Sequence, residues 1–354
     1  MKAWVLHAVN DFRMEEMAEP EPGEGEALVA VKAAGICGSD IPRIYRTGAY
    51  SYPLIPGHEF SGVVIDIGKG ADRKWKNKRV GVFPLIPCGT CRPCQKRAYE
   101  MCRHYSYLGS RTNGAFAEYV AVPERNLIEL PDSVSYEEAA MLEPMAVAVH
   151  AMRRTMPQTG EAVAVCGLGT VGSLLLMFLL EAGVENVFAI GNKECQRQAA
   201  YGMGLPESHY MDGKTEAVSS HIAGQKGNAG QTGHMGADVF FECVGRNETV
   251  LQALELSSPG GRICLVGNPY GDMAFRKDAY WKILRNQLTV TGTWNSSFLR
   301  KEDDDWHYVL DRLEKKRVFP TKLISHRITL EELGQESLRM RDKTEAYMKI
   351  MVCM

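Results

Sequence analysis

The chain has 354 residues, 45% of them apolar and 24% charged, and its 41 basic and 43 acidic side chains leave a formal charge of −2. That length exceeds what one hydrophobic core usually holds, so two domains are expected, and the composition excludes disorder as the main state. The near-neutral balance supplies no global field for nucleic acid or anionic lipid, and neither is expected as a partner.

The opening Met1-Lys2-Ala3-Trp4-Val5 lacks the apolar run of a secretory signal. The richest apolar stretch, residues 171–180, is about half a membrane span. A cytoplasmic, non-membrane protein is expected. Residues 1–7 and 26–33 read as strands joined by a turn-rich connection at 20–25, and residues 62–68 and 78–83 have the same character. A mostly β domain is therefore expected over residues 1–150.

Four of the ten cysteines crowd into one loop, Cys88-x2-Cys91-x2-Cys94-x7-Cys102. Four soft ligands at this spacing suit a tetrahedral zinc with no open position, hence a structural ion; an iron-sulfur cluster is the competing reading. A second, dispersed set is Cys37, His58 with Glu59, and Glu143. Thiolate, imidazole and carboxylate are zinc ligands, and three of them leave a place for water or substrate. Spacing alone leaves the bland readings open: a buried thiol, a core histidine, a helix-cap glutamate.

At about residue 160 the pattern changes. An apolar run at 162–166 precedes Gly167-Leu168-Gly169-Thr170-Val171-Gly172, and residues 173–181 read as a helix, with a second strand at 184–190. This strand-turn-helix context is what a dinucleotide fingerprint requires: one glycine for the turn, one for close approach of the pyrophosphate, one for helix packing. A nucleotide-binding domain is expected over residues 151–290. The second strand ends in Gly191-Asn192-Lys193, with Arg197 one turn beyond. An NAD enzyme usually offers a carboxylate there; its absence and the basic Lys193 favour NADP, with NAD left open. Later strands are expected at 237–243, 261–266 and 288–293, helices at Asn247–Leu256 and 303–316, loops and a polar helix at 211–233, and a returning segment at 291–354 with strands at 325–328 and 347–353.

Taken together, Cys37-Gly-Ser-Asp40, Gly57-His-Glu-Phe60, the cysteine loop, Leu142-Glu-Pro144 and the glycine fingerprint occur in the order found in the zinc-containing medium-chain dehydrogenases, and the chain resembles that family over nearly its whole length. Glutamate at position 143, where alcohol dehydrogenases often carry cysteine, agrees with the polyol branch. Further agreement lies in the stretches 37–45, 48–49, 52–53, 84–88 and 107–111, which resemble the galactitol-1-phosphate 5-dehydrogenases.

The resemblance implies an α/β protein with a Rossmann-fold cofactor domain and a mostly β GroES-like catalytic domain, one catalytic and one structural Zn2+, and NADP or NAD. It implies that Cys37, His58 and Glu143 lie near the catalytic ion, with Glu59 binding directly or through water, Ser39 relaying the hydroxyl proton and Asp40 supporting His58. The implied reaction is oxidation of a phosphorylated polyol to a keto-sugar phosphate. Arg43, Arg46 and Arg111 are the candidates for holding the phosphate, and Trp294 and Asn295 for shaping the pocket. Residues 298–305 depart from the family pattern, which leaves polyol length and stereochemistry open. Another polyol or polyol-phosphate dehydrogenase, such as an arabitol-phosphate type, is a second reading. A non-enzymatic nicotinamide sensor is a third, against which the full ligand set and Ser39 stand. A homodimer or homotetramer is expected by resemblance, and residues 261–266 either stabilise a sheet edge or fill the core.

Overall fold

A computed structural model describes residues 1–213, 236–269 and 271–354. The chain forms two compact units, one of Met1–Ala146 with Ser296–Met354 and the other of Val147–Asn295.

The first unit is organised on a seven-stranded sheet in the order Ile324–Ile328, Lys349–Cys353, Glu26–Ile36, Glu59–Ile67, Arg79–Val82, Leu127–Glu129, with Tyr119–Pro123 also paired to Glu26–Ile36. Ala27, Val29, Val31 and Ala34 are all buried and meet Val64, Val80, Val120 and Val122 in one core. Each such valine taken from water stabilises the fold by roughly 1.5–3 kcal/mol. Lys2–Ala8 pairs with Asp11–Glu16 as a separate hairpin. The second of these strands escapes a pattern search because its polar residues sit half in solvent. The helix Tyr136–Ala140 also escaped, although Ser135 and Glu138 form a reciprocal capping box that is visible as Ser-x-x-Glu. The helix Leu142–Thr155 follows and carries Glu143 in its first turn.

The second unit holds a parallel six-stranded sheet in the order Tyr210–Asp212, Val187–Gly191, Val163–Cys166, Ala237–Glu242, Ser257–Leu265, Thr289–Gly292. Numbered along the chain this is 3-2-1-4-5-6, the doubly wound order whose chain direction reverses beside the first strand. Val163–Cys166 and Val187–Gly191 are buried throughout, as parallel strands covered on both faces must be.

Two expectations change. Of the two readings of residues 261–266 the sheet edge fails and core filling stands: Ser257–Leu265 is hydrogen-bonded to strands on both sides with Ile263 and Cys264 buried, and among the described residues Tyr210–Asp212 and Thr289–Gly292 are the edges. Of the expected loop and polar helix at 211–233, the start belongs to the strand Tyr210–Asp212, and residues 214–233 lie outside the described residues. The helix Lys277–Arg285 had no counterpart in the sequence reading.

Candidate metal centres and cofactor cradle

Three strand ends build the first centre. Glu26–Ile36 runs out into Cys37, Glu59 opens the next strand opposite Gly35, and the C-terminal strand brings Lys349 beside Ile36, pairing Ile350 with Ile36 and Met351 with Gly35. The donor atoms of Cys37, His58 and Glu59 all lie within 4.8 Å of one another. Gly35 makes the space: a Cβ there would collide with the Glu59 carboxylate and the Lys349 side chain.

Around the donors every charge has a stated neighbour. The Asp40 carboxylate, completely buried, accepts from the Cys37 backbone N–H at 3.1 Å and from Arg43 Nη1 at 2.6 Å, and lies 3.4 Å from His58 Nδ1. Burial alone would raise its pKa, but His58 and Arg43 hold it below the usual carboxylate value. Facing Asp40 with Nδ1 leaves His58 Nε2 as the free ligand nitrogen, the arrangement in which a carboxylate fixes the ring of a metal-binding histidine. Ser39 Oγ donates to Cys37 Sγ at 3.3 Å.

Lys349 is the residue that sequence reasoning missed. It is 1% exposed, is ion-paired to Glu59, and donates to the Ile36 carbonyl at 3.1 Å. The signal was present: one cation within the apolar run Tyr347 to Cys353. Tyr107 was missed in the same way; its hydroxyl donates to Glu143 Oε1 at 3.0 Å, and its ring packs edge-on to His58 with centroids 5.7 Å apart. Glu143 is buried outside the three-donor cluster, and burial pushes its carboxyl up to about 7, with Glu59 adding to the rise. Three buried carboxylates, Asp40, Glu59 and Glu143, and a thiol thus meet two permanent cations, Arg43 and Lys349. That donor chemistry and charge imbalance fit a divalent cation of the zinc type.

The second centre is local. Cys88, Cys91, Cys94 and Cys102 bring their sulfurs within 4.8 Å of one another, with separations of 3.9, 3.4 and 3.9 Å for 88–94, 91–94 and 91–102. A tetrahedron of thiolates around zinc has edges of about 3.8 Å, whereas a disulfide brings sulfurs to about 2 Å. The spacing matches the tetrahedron. Donation from the Thr90 hydroxyl and the Cys91 and Thr90 backbone N–H groups lowers the Cys88 thiol to about 5, while burial raises Cys94 to about 12.

In the second unit the fingerprint lies between the buried strand Val163–Cys166 and the helix Thr170–Glu181. Gly167 has φ +95°, and a Cβ on Gly172 would strike the Gly167 carbonyl, so helix and turn are locked together. A Cβ on Gly169 would meet nothing within 4 Å, which leaves that backbone open to a bulky anion at the helix N-terminus. Leu168 is buried, whereas Thr170 and Val171 are partly exposed at the helix start.

Residues 23–132 match the family of alcohol dehydrogenase GroES-like domains, and residues 170–315 the family of zinc-binding dehydrogenases. Galactitol 1-phosphate 5-dehydrogenase of Escherichia coli K12 is 31% identical over 95% of both chains. The chain belongs to the zinc-binding medium-chain dehydrogenases. The crystal structure of galactitol-1-phosphate dehydrogenase from Escherichia coli matches with a TM-score of 0.89 at 30% identity, covering 100% of both chains. A zinc-binding dehydrogenase from Sinorhizobium meliloti 1021, bound to NADP, matches with TM-score 0.87 and 27% identity over 100% of this chain and 99% of that one. The dehydrogenase rspB of Escherichia coli CFT073, complexed with NADH, matches with TM-score 0.88 and 26% identity over the same shares. Like its family, this dehydrogenase is an NAD(P)-dependent oxidoreductase with a GroES-like and a Rossmann-like domain. Among the described residues no helix is long and apolar enough to cross a membrane.

The remaining candidates of this dehydrogenase separate clearly. Arg43 is committed to Asp40, and Arg46 is exposed in the turn Arg43–Thr47. Arg111 packs against two tyrosine rings. Trp294 is 54% exposed, and Asn295, at φ +53°, has a buried Nδ2 without a hydrogen-bond partner. Gly191 is buried; Asn192 and Lys193 are exposed; and Arg197 pairs with Glu194 at 3.0 Å and stacks on Tyr210. The departing segment 298–305 builds a helix start: Asp304 caps His307, and Phe298 packs on Phe83 and Trp306.

Proposed function

We propose that this dehydrogenase oxidises a phosphorylated sugar alcohol to a keto-sugar phosphate, with galactitol 1-phosphate to tagatose 6-phosphate as the first candidate. The observation that carries the chemistry is the convergence of Cys37, His58 and Glu59 beside buried Glu143. The substrate reading leans on the 31% identity to galactitol 1-phosphate 5-dehydrogenase.

In this reading Cys37, His58 and the carboxylates of Glu59 and Glu143 hold a catalytic zinc, and the four loop cysteines a structural one. A zinc held there would supply Lewis-acid chemistry that lowers the pKa of an alcohol or polarises a carbonyl, and a bound nicotinamide would supply the hydride exchange. Ser39, whose hydroxyl donates to Cys37 Sγ, would pass the substrate's hydroxyl proton outward; serine is a poor final base, so the proton would leave to water. Asp40 holds the His58 ring, Tyr107 orients Glu143, and Lys349 fixes Glu59 while balancing its charge.

The cofactor reading is NADP. At Gly191 a Cβ would already approach the Tyr210 hydroxyl at 2.5 Å and Gln196 Oε1 at 3.1 Å, so a ribose-binding carboxylate at this strand end would have to displace both side chains. Lys193 follows as the cation for a ribose phosphate. The NADH found in rspB favours NAD as the second reading. Competition between the two cofactors decides: a large preference for NAD defeats the basic-pocket argument.

Ten free thiols suit a reducing cytoplasm. Self-association is proposed through the edge strand Thr289–Gly292, where Val290 is 42% exposed. Light scattering that shows a monomer would remove that proposal. The central experiment measures oxidation of galactitol 1-phosphate, an arabitol phosphate and neutral sorbitol with each cofactor, with product identification. Equal rates on phosphorylated and neutral polyols would refute the phosphate reading.

A further inference from the structure

Arg111 is a candidate cation whose charge no acidic side chain among the described residues answers. The strand Ser106–Tyr107 ends in a tight turn in which the backbone N–H groups of Ser110, Arg111 and Thr112 all point to the Tyr107 carbonyl. That turn is fixed to the loop carrying His58. Ala115 N–H donates to the Gly57 carbonyl at 2.9 Å, and a Cβ on Gly109 or Gly114 would run into the Gly57 backbone. Arg111 and His58 are thus held on one rigid piece of backbone.

The side chain is held by rings rather than by acids. Its guanidinium carbon lies 3.9 Å from the Tyr50 ring centroid and 4.6 Å from that of Tyr105. Among the described residues it makes no ion pair and no side-chain hydrogen bond, and its Nε is buried without a partner. Tyr105 meets Tyr107 at 6.2 Å, and Tyr107 meets His58 at 5.7 Å, so an aromatic path joins this cation to the metal-ligand set. Tyr50, at 71% exposed, marks the solvent end of that path. Arg43, by contrast, has its guanidinium taken by Asp40.

We infer that Arg111, clasped by Tyr50 and Tyr105, is the specificity-determining anchor for an oxyanion at the end of the substrate remote from the reacting carbon. Aromatic contact fixes the cation without neutralising it, and the planar fork then offers charge-assisted N–H donors to a phosphate or carboxylate. The inference rests on the polyol-phosphate reading and narrows it to one residue. A carboxylate-ended sugar acid presents the same chemistry, and the experiment separates the two.

The test compares kcat/KM for galactitol 1-phosphate, a hexonate and neutral galactitol in the wild type, Arg111→Gln, Arg111→Lys and Tyr50→Leu, with zinc content and melting temperature recorded for each. Losing a charged hydrogen-bond partner predicts that Arg111→Gln lowers the phosphate-to-neutral ratio by about 10- to 100-fold. Arg111→Lys should restore part of it. Inorganic phosphate should inhibit the wild type competitively and lose potency against Arg111→Gln. A fall in the hexonate-to-neutral ratio instead supports the anchor with carboxylate as its ligand. A wild-type ratio retained in Arg111→Gln overturns the anchor and leaves the polyol-phosphate reading standing. A wild type blind to both anions overturns both. Should the Arg111 variants fold poorly, Tyr50→Leu carries the test, since loosening the clasp lowers the same ratio and Tyr50→Phe keeps it.

Discussion

The two candidate metal centres of this dehydrogenase reach similar donor clustering by opposite routes. The cysteine loop draws four thiols from a span of 15 residues, residues 88–102, and needs little else. The other centre joins Cys37, His58 and Glu59 through strand register and depends on Lys349, 290 positions from Glu59. A closed set of like ligands can be supported by its own loop. A mixed set with two further buried carboxylates needs the charges of the surrounding fold, and this difference supports the proposal that the cysteine loop does structural work and the Cys37 centre does chemistry.

The largest effects should come from removing a ligand at each. Cys37→Ser is expected to lower kcat/KM by about 1,000-fold or more, because the barrier loses several kcal/mol of electrostatic stabilisation, while the melting temperature changes little. Cys94→Ser, or chelation of the loop ion, should instead cost the lobe several kcal/mol of stability, since metal binding there is folding energy. Zinc content, kinetics and melting measured on both variants sharpen the contrast. If both variants lose stability and zinc alike, the division of labour is wrong.

How far each centre could be read from sequence follows from the same difference. The cysteine loop and the glycine fingerprint are legible because their parts are neighbours in the chain. Cys37, His58 and Glu143 became a set only through family resemblance, since nothing local says that two strand ends and a helix start meet. Lys349 was passed over as one polar residue in an apolar strand, although an ion inside a buried strand is a request for a partner elsewhere. Tyr107 lay within a quoted motif without a role because its partner Glu143 is 36 residues away. The strand Asp11–Glu16 was hidden for a different reason, since none of its residues is buried, whereas the helix Lys277–Arg285 carries a strong helical hydrophobic period that the sequence reading passed over.

Next in size is the ion pair itself. In the zinc-free protein Lys349→Met leaves Glu59 buried and unpaired, which should destabilise the first unit by about 3–5 kcal/mol. Adding Glu59→Gln should recover part of that loss, because the stranded charge is then gone. Thermal or denaturant melts of the single and double variants test it, and a single variant as stable as the wild type would show that Glu59 finds its balance elsewhere.

Smaller still are the supports one bond removed from the donors, and here the contrast takes its finest form. Asp40→Asn keeps the size of the side chain but weakens its hold on His58 and Arg43, and should cost about 10- to 100-fold in zinc affinity or activity. The corresponding support in the loop is Thr90, whose hydroxyl reaches Cys88 Sγ at 3.6 Å from an exposed position. Thr90→Val should therefore shift loop zinc affinity by no more than about 0.5–1 kcal/mol, the worth of a weak, solvated hydrogen bond. Competition against a calibrated chelator measures both affinities in one preparation. The difference follows from burial: water can replace the Thr90 hydroxyl beside Cys88, but it cannot reach the completely buried carboxylate of Asp40. If the two substitutions cost the same, the loop is as dependent on its surroundings as the assembled centre, and local ligand spacing ceases to explain why one site was legible and the other was not.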